Sequence, residues 1–242
     1  MEALDRVREI DWYHTLELPS GQVTEGRFDL RPYVDRYGLP DRLDGKRVLD
    51  IGTWDGFWAF EMERRGAAEV VALDIDDERK LDWLEIRRPE EFRRPEEKAR
   101  GFQLAKEALD SSVERVDCSL YDARPEDLGT FDLVLCGSVL IHMRDQIKAL
   151  ERIAALCRGL FICAEGYDRL LSLLPLAVSH YRATRPTGVV FWEPNIRAWE
   201  EMIGAAGFED VRRHGRVRLR SRDGYAVSHV IFHATGSALA SS

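Results

Sequence analysis

The chain has 242 residues, 45% of them hydrophobic and 32% charged, with a formal net charge of −8. That length suits one α/β domain with additions and a sizeable core, and an acidic surface does not attract polyanions over its whole area, so a nucleic-acid partner would need a local basic patch. No apolar run approaches the ~18 residues of a membrane span and the N-terminus lacks a signal-peptide pattern, so a cytoplasmic protein with no membrane partner is expected.

Residues 1–45 read as an N-terminal arm. Trp12-Tyr13-His14 leads into the turn-rich Leu18-Pro19-Ser20-Gly21, then into Phe28-Asp29-Leu30-Arg31-Pro32-Tyr33. Such aromatic and polar residues outside the core either form a lid, which would put Trp12, Tyr13 and His14 against a substrate, or anchor the arm to the domain.

Val48, Leu49 and Ile51 read as a buried strand that stops at Gly52-Thr53-Trp54-Asp55-Gly56, and Glu61 to Arg65 then has helical composition ending at Gly66. Strand, glycine-bearing turn and helix make a nucleotide pocket at the carboxyl end of a strand in a doubly wound sheet. Glu69 to Asp74 is a second apolar run ending in an acid, 24 residues after Asp50. That is near the ~20-residue offset at which such an acid meets ribose hydroxyls. Gly52 and Gly56 lack the close-packed G-x-G-x-x-G triplet that seats a pyrophosphate, which makes an NAD(P)-dependent oxidoreductase the lesser alternative.

Asp76 to Arg100 is charged and broken by Pro89 and Pro95, predicting two short helical pieces or a loop followed by a helix. Its Arg87, Arg88, Arg93 and Arg94 form either a solvated, ion-paired face or a phosphate patch. Gly101 to Leu109 has helical spacing, Val113 to Cys118 is a strand, and Tyr121-Asp122-Ala123 opens a polar loop. Phe131 to Cys136 is a buried strand leading into Gly137-Ser138-Val139-Leu140-Ile141-His142, and Gln146 to Cys157 is an amphipathic helix.

Leu160 to Ala164 is a fifth strand with Glu165 and Tyr167 at its carboxyl end, as substrate-pocket residues or loop caps. Asp168 to Thr184 reads as an extra helix kinked at Pro175, apolar on nearly every side and so a buried cap or a partner interface, a homodimer included. Val189 to Asn195, with Trp192, precedes a helix from Ile196 to Ala206 ended by Gly207. Phe208 to Arg213, Val217 to Leu219 and Ala226 to Ala234 supply a closing antiparallel hairpin, and residues 236–242 a small-residue tail. Arg216, Arg218, Arg220 and Arg222 share one strand face, as a charge-protected edge or an anion-binding stripe. Cys118, Cys136, Cys157 and Cys163 show no C-x-x-C and read as free thiols; the six histidines lack ligand spacing, so no metal site is expected.

Asp50, Gly52 and Gly56 match the D-x-G-x-G-x-G motif of the class I S-adenosylmethionine (SAM)-dependent methyltransferases, with Trp54 in place of the middle glycine. From about Lys46 to Asp210 the chain resembles that family through several motifs in order. The resemblance implies a Rossmann-like, doubly wound, seven-stranded α/β sheet in residues 46–235, with the N-terminal arm and a helical cap insertion at about 168–190. It implies SAM as cofactor and S-adenosylhomocysteine (SAH) as product. Asp50, Gly52, Trp54 and Gly56 would surround the methionine moiety, Asp74 would meet the ribose, and Asp122 (or Asp117) the adenine amino group, unless Asp122 is a surface turn. His142 would lie near the sulfonium, as a base for an oxygen nucleophile or as a structural residue.

Trp12-Tyr13-His14 with the Leu18–Gly21 turn, Gly137 to Asp145, and Trp192-Glu193-Pro194-Asn195 are similar to the branch that includes the bacterial tRNA wobble-uridine carboxymethyltransferases, which use a carboxylated SAM. This chain is shorter, lacks their long N-terminal extension and is acidic, so the fold and cofactor pocket carry over and the RNA substrate does not. The expected activity is methyl transfer to an oxygen or nitrogen of a small-molecule metabolite, in a pocket covered by the arm and bordered by Glu165, Tyr167 and Trp192. The alternatives are a tRNA-modifying enzyme and, suggested by Trp54, a non-catalytic SAM-binding module.

Overall fold

The computed structural model describes residues 7, 9–85, 88–92, 94–182 and 190–239. In the arm, β1 (Glu17–Leu18) and β2 (Gln22–Val23) pair antiparallel. The central sheet contains β3 (Arg47–Ile51), β4 (Glu69–Asp74), β5 (Glu114–Asp117), β6 (Phe131–Gly137), β7 (Cys157–Gly166), β10 (Phe208–Arg220) and β11 (Ala226–Ser237). Their order is β10-β11-β7-β6-β3-β4-β5, parallel throughout except for the reversed β11. The chain steps outward from β3 through β4 to β5, then returns to the other side of β3 as β6. A crevice therefore opens at the carboxyl ends of β3 and β6, where ligands bind in such sheets.

Apolar side chains alternate across the inner strands because both faces are covered. On one face Val48, Leu135 and Ala164 pack under α1 (Phe57–Arg64), α2 (Pro95–Leu109) and the arm, whose Trp12, Leu16, Phe28, Leu30 and Tyr37 are buried with Phe57, Trp58 and Phe102. On the other face Leu49, Val134 and Phe161 pack under α4 (Gln146–Leu156) and α5 (Ile196–Ala205), with Leu150, Ile153, Trp199 and Ile203. The short α3 (Pro125–Leu128) lies between β5 and β6 in the chain. The arm is thus part of one hydrophobic core with the sheet.

Four expected elements differ. The helix expected over Asp168–Thr184 is absent among the described residues: a 3₁₀ turn at Leu171–Leu173 is followed by β8 (Ser179–Tyr181), which pairs antiparallel with β9 (Trp192–Pro194). Pro175 removes an amide donor, and Asn195 takes the backbone instead, its Nδ2 donating to the carbonyls of Leu171 and Leu176. The leucines are not buried either; Leu170 and Leu173 are 79% and 81% exposed. Thr184 and Val189 fall outside the described residues.

α2 starts at Pro95 and continues through Gly101, because proline at the first position and Glu96 and Glu97 in the first turn favour a helix start. A 3₁₀ turn at Glu78–Lys80 precedes it. Arg88 donates to the Arg79 carbonyl and Arg94 pairs with Glu97, a solvated face; Arg87 and Arg93 fall outside the described residues. β7 extends to Gly166, which places Glu165 inside the strand rather than after it. β10 is one continuous edge strand with an irregularity at Arg213/Gly215, on which Arg216, Arg218 and Arg220 are exposed while Val217 and Leu219 are buried. Cys136, Cys157 and Cys163 are buried free thiols, and Cys118 is a partly exposed one. Among the described residues no helix is long and apolar enough to cross a membrane and no side-chain group has the makings of a metal site.

Candidate functional site

The glycine-bearing turn sits between β3 and α1. Gly52 and Gly56 take positive φ (74° and 90°), and so does Trp54 (49°), in a conformation that normally favours glycine. Trp54 is held there by both of its peptide groups. Its N–H donates to Asp74 Oδ2 at 2.8 Å, and its carbonyl accepts from Arg115 Nη1 at 3.0 Å. The departure from a glycine at this position is therefore compensated by side chains at the ends of β4 and β5. Asp50 lies beneath the turn, 2% exposed, with Oδ2 accepting the Ala59 N–H of α1 at 3.1 Å. Burial pushes its carboxyl up to about 7.

Asp74 ends β4 as the anchor of a charge cluster. Its Oδ1 accepts from the Ile75 N–H (2.7 Å) and from Lys98 Nζ (2.9 Å), with Arg115 Nη2 at 3.9 Å from Oδ2. Arg115 also pairs with Asp76, and Lys98 lies 5.2 Å from the centre of the Trp54 ring. Counting Trp54, three of the carboxylate's roughly four acceptor sites are filled. The 10% exposed carboxylate keeps capacity for one hydroxyl. Asp122 is exposed in the turn after β5, its N–H donating to the Ser119 carbonyl. Next to it Tyr121 Oη donates to Asp82 and accepts the Asp145 N–H, tying this loop to the segment after β6. Asp117 Oδ1 caps the Asp76 N–H.

The segment after β6 is fixed by Glu165. This side chain is fully enclosed, and its Oε1 accepts the N–H groups of Val139 and Leu140, both at 2.9 Å. It holds the 3₁₀ turn Leu140–His142 in place rather than lining an open pocket. Val139 in turn covers Gly52: a Cβ there would stand 2.2 Å from Val139 Cγ2. His142 is partly exposed at the end of the turn, Tyr167 is buried among the apolar residues of the α4 face, and Trp192 packs on Tyr181 at 4.8 Å.

Burial raises the Glu165 carboxyl from 4.5 to about 7. Its folded-state value lies above its unfolded one, so its contribution to stability is greatest at low pH and is lost as pH rises through about 7. Glu165→Gln keeps an acceptor for both amides and carries no charge. Relative to the native chain, this variant should gain about 3 kcal/mol between acidic and alkaline conditions. Melting temperatures at about pH 5 and pH 8.5 test this; an equal difference at both would show that the acid ionises without penalty.

The arm reaches the same turn through Asp55. Its Oδ2 accepts the N–H groups of Tyr13 (2.7 Å) and His14 (2.8 Å), although Asp55 is 2% exposed. Burial moves its carboxyl up to about 7. The tether lays the Tyr13 ring 5.0 Å from that of Trp54 and the His14 ring 5.8 Å from that of Phe57. Burial pushes the Tyr13 phenol up to about 12 and the His14 imidazole down to about 3, so both are neutral near pH 7. Trp12, at 3% exposure, donates from Nε1 to the Val7 carbonyl and anchors the arm.

Residues 25–213 match the family model of the methyltransferase domain. The chain belongs to that family. It is 26% identical over 205 residues to a ubiquinone biosynthesis O-methyltransferase of Xanthomonas oryzae pv. oryzae, covering 76% of each chain. It is 30% identical over 173 residues to a tRNA U34 carboxymethyltransferase of Ectopseudomonas mendocina, covering 70% of this chain and 47% of that one; the methyltransferase thus spans about half the length of this relative. Its fold matches the N-terminal domain of EvdMO1 with SAH bound at a TM-score of 0.68, with 17% identity and 98% of each chain covered. It also matches the magnesium protoporphyrin IX methyltransferase of Synechocystis PCC 6803 with bound SAM at a TM-score of 0.56, with 17% identity, covering 86% of this chain and 78% of that one.

The protein is a SAM-dependent methyltransferase with a Rossmann-like fold, and SAM is its cofactor. The residues present are compatible with that cofactor: a positive-φ turn, an acid at the end of β4 with one acceptor site left, and an exposed acid after β5. Of the expected residues, the structure gathers Gly52, Trp54, Gly56, Asp74, Tyr13 and His14 about the turn, while Asp50 braces it from beneath and Glu165 holds the segment after β6. Trp192 and Tyr167 belong to the β8–β9 and α5 side of the methyltransferase. Sequence reasoning missed Asp55, Lys98 and Arg115. Asp55 was in plain view inside the motif, but the other two act from elements whose packing the sequence does not display.

Proposed function

We propose that this methyltransferase transfers a methyl group to an oxygen or nitrogen of a small molecule held beneath the arm. The observation that carries the reading is the Asp55 tether, which seats the aromatic arm on the glycine turn and so walls the crevice with neutral side chains. The exposed arginines support it from the other direction. They lie on β10, the last strand of the sheet, three strand spacings or roughly 14 Å from β6. On that strand Arg212 pairs with Asp210, and Arg222, in the turn after it, pairs with Glu25. The name of the Xanthomonas relative, which places it in ubiquinone biosynthesis, fits the same class of acceptor.

The backbone of Gly52, Trp54 and Gly56 would hold the methionine portion, Asp74 the ribose and Asp122 the adenine. SAM supplies an activated methyl on a sulfonium, so what the protein adds is in-line placement and exclusion of water. His142 would line the entrance to this crevice, and no strong base is demanded for a nitrogen or a low-pKa oxygen.

Incubating the purified enzyme with methyl-labelled SAM and an extract of its native cells, then separating RNA from small molecules, tests the proposal. Label in the small-molecule fraction is expected. Label in RNA would make the β10 arginines a recognition surface and replace this reading with tRNA modification.

A further inference from the structure

We infer that His229 and Ser138 form the acceptor-orienting corner of the methyl-transfer site, with His229 Nδ1 receiving the hydroxyl of a small, largely apolar acceptor. The inference rests on the small-molecule reading above and names the group that would recognise that substrate.

His229 lies on β11 opposite Gly166 of β7. Side chains alternate along a strand, so it shares its face with Ile231, which is buried in the core beneath the arm. The neighbouring strand β6 ends at Gly137, opposite Ala164. The two glycines leave gaps of methyl size in front of the sheet. A Cβ at Gly137 would meet nothing nearer than the Ala164 carbonyl at 3.8 Å, with Trp58 Nε1 at 4.0 Å; one at Gly166 would meet nothing nearer than Ile141 Cδ1 at 3.7 Å. At Gly52, in contrast, Val139 already fills the place. Trp58 and Ile141 therefore border methyl-sized gaps at the carboxyl ends of β6 and β7, beside the crevice.

The polar groups at this corner are incomplete. His229 is 5% exposed; its Nε2 is 2.8 Å from Ser138 Oγ, while its buried Nδ1 has no hydrogen-bond partner. A buried polar atom without a partner is destabilising, so a ligand that completes it recovers that loss on binding. Ser138 is held for the pairing in a left-handed conformation (φ 58°), its N–H donating to the Ala164 carbonyl at 3.0 Å. Strained residues of this kind concentrate at functional sites. Burial drives the His229 imidazole down to about 4, so it is neutral near pH 7. If Nε2–H donates to Ser138 Oγ, Nδ1 accepts, and if the Ser138 hydroxyl donates to Nε2, Nδ1–H donates; a hydroxyl, which both donates and accepts, complements either tautomer.

Three variants test this, assayed with methyl-labelled SAM and increasing amounts of small-molecule extract, alongside calorimetric SAH binding. Asn keeps a polar atom near the place of Nδ1, Gln keeps one near Nε2, and Ala keeps neither. His229→Ala and His229→Gln should lose about 10- to 100-fold in transfer at limiting extract, while His229→Asn stays within about 3-fold of the native enzyme. SAH affinity should stay within about 2-fold in all three, which shows that the fold and cofactor site are intact. Full activity in all three, or a Gln variant that outperforms Asn, overturns the inference, the latter because it would make the Ser138 contact purely structural. Native-enzyme label in RNA removes the small-molecule reading and the inference with it; label in small molecules with unaffected variants removes the inference alone.

Discussion

Replacing Asp74 with Asn should weaken SAH binding by about 10- to 100-fold, or about 1.4–2.8 kcal/mol. The carboxylate has one acceptor site left for a ribose hydroxyl, and the amide removes the charge that makes such a bond strong. The same change leaves Lys98 facing an amide, although the Lys98 side chain is only 3% exposed. Breaking a buried pair from one side typically costs about 3–5 kcal/mol, so the variant should also melt earlier. The double variant Asp74→Asn with Lys98→Met separates the two effects. It should recover much of the melting temperature and none of the affinity. Calorimetric titration with SAH reads the first quantity and thermal melting the second. An Asp74→Asn protein that binds SAH as the native one does would remove Asp74 from the cofactor site.

Asp55→Ala should release the arm. Two charge-assisted backbone bonds to Oδ2 are lost, and the amides of Tyr13 and His14 are left in a buried setting. The expected cost is about 3 kcal/mol, or roughly 6–12 °C in Tm for a chain of this size. Turnover should fall by more than about 10-fold even below the melting transition, since the Tyr13 ring would no longer be held against Trp54 to exclude water. Asp55→Asn is the control. Both bonds reach the same oxygen, so one amide oxygen can accept both and most of the stability should survive. If Asp55→Ala melts with the native enzyme, the arm is held by its apolar contacts alone and the tether has no energetic role.

Much of this was readable in the residues. The β3 strand, its glycine turn and the acid at the end of β4 follow from local pattern, because a strand buried on both faces must be apolar and a turn with positive φ selects glycine. Trp54 looked like a defect in that pattern. The structure shows its backbone fixed by Asp74 and Arg115, residues 20 and 61 positions further along the chain. The expected helix over Asp168–Thr184 failed for a related reason. Its leucines suggested a buried element, yet Asn195 satisfies the backbone carbonyls at Leu171 and Leu176 and leaves side chains such as Leu170 and Leu173 exposed.

Glu165 and His229 show the limit most clearly. The sequence offered Glu165 at the end of a strand and His229 only as one of six histidines; the structure puts both inside strands, with Glu165 fully enclosed. Which way each side chain turns depends on strand register: β11 pairs His229 with Gly166, so Glu165 faces the α4 side while His229 faces the arm. The sequence by itself determined the doubly wound sheet and its nucleotide-type turn, since these rest on short-range periodicity and glycine conformation, while the cofactor class followed from the motifs it shares with the class I methyltransferases. Only the tertiary structure decided which acids brace the site, which stay open to a ligand, and where an imidazole keeps one nitrogen without a partner, because burial and partners come from strands and an arm far apart in the chain.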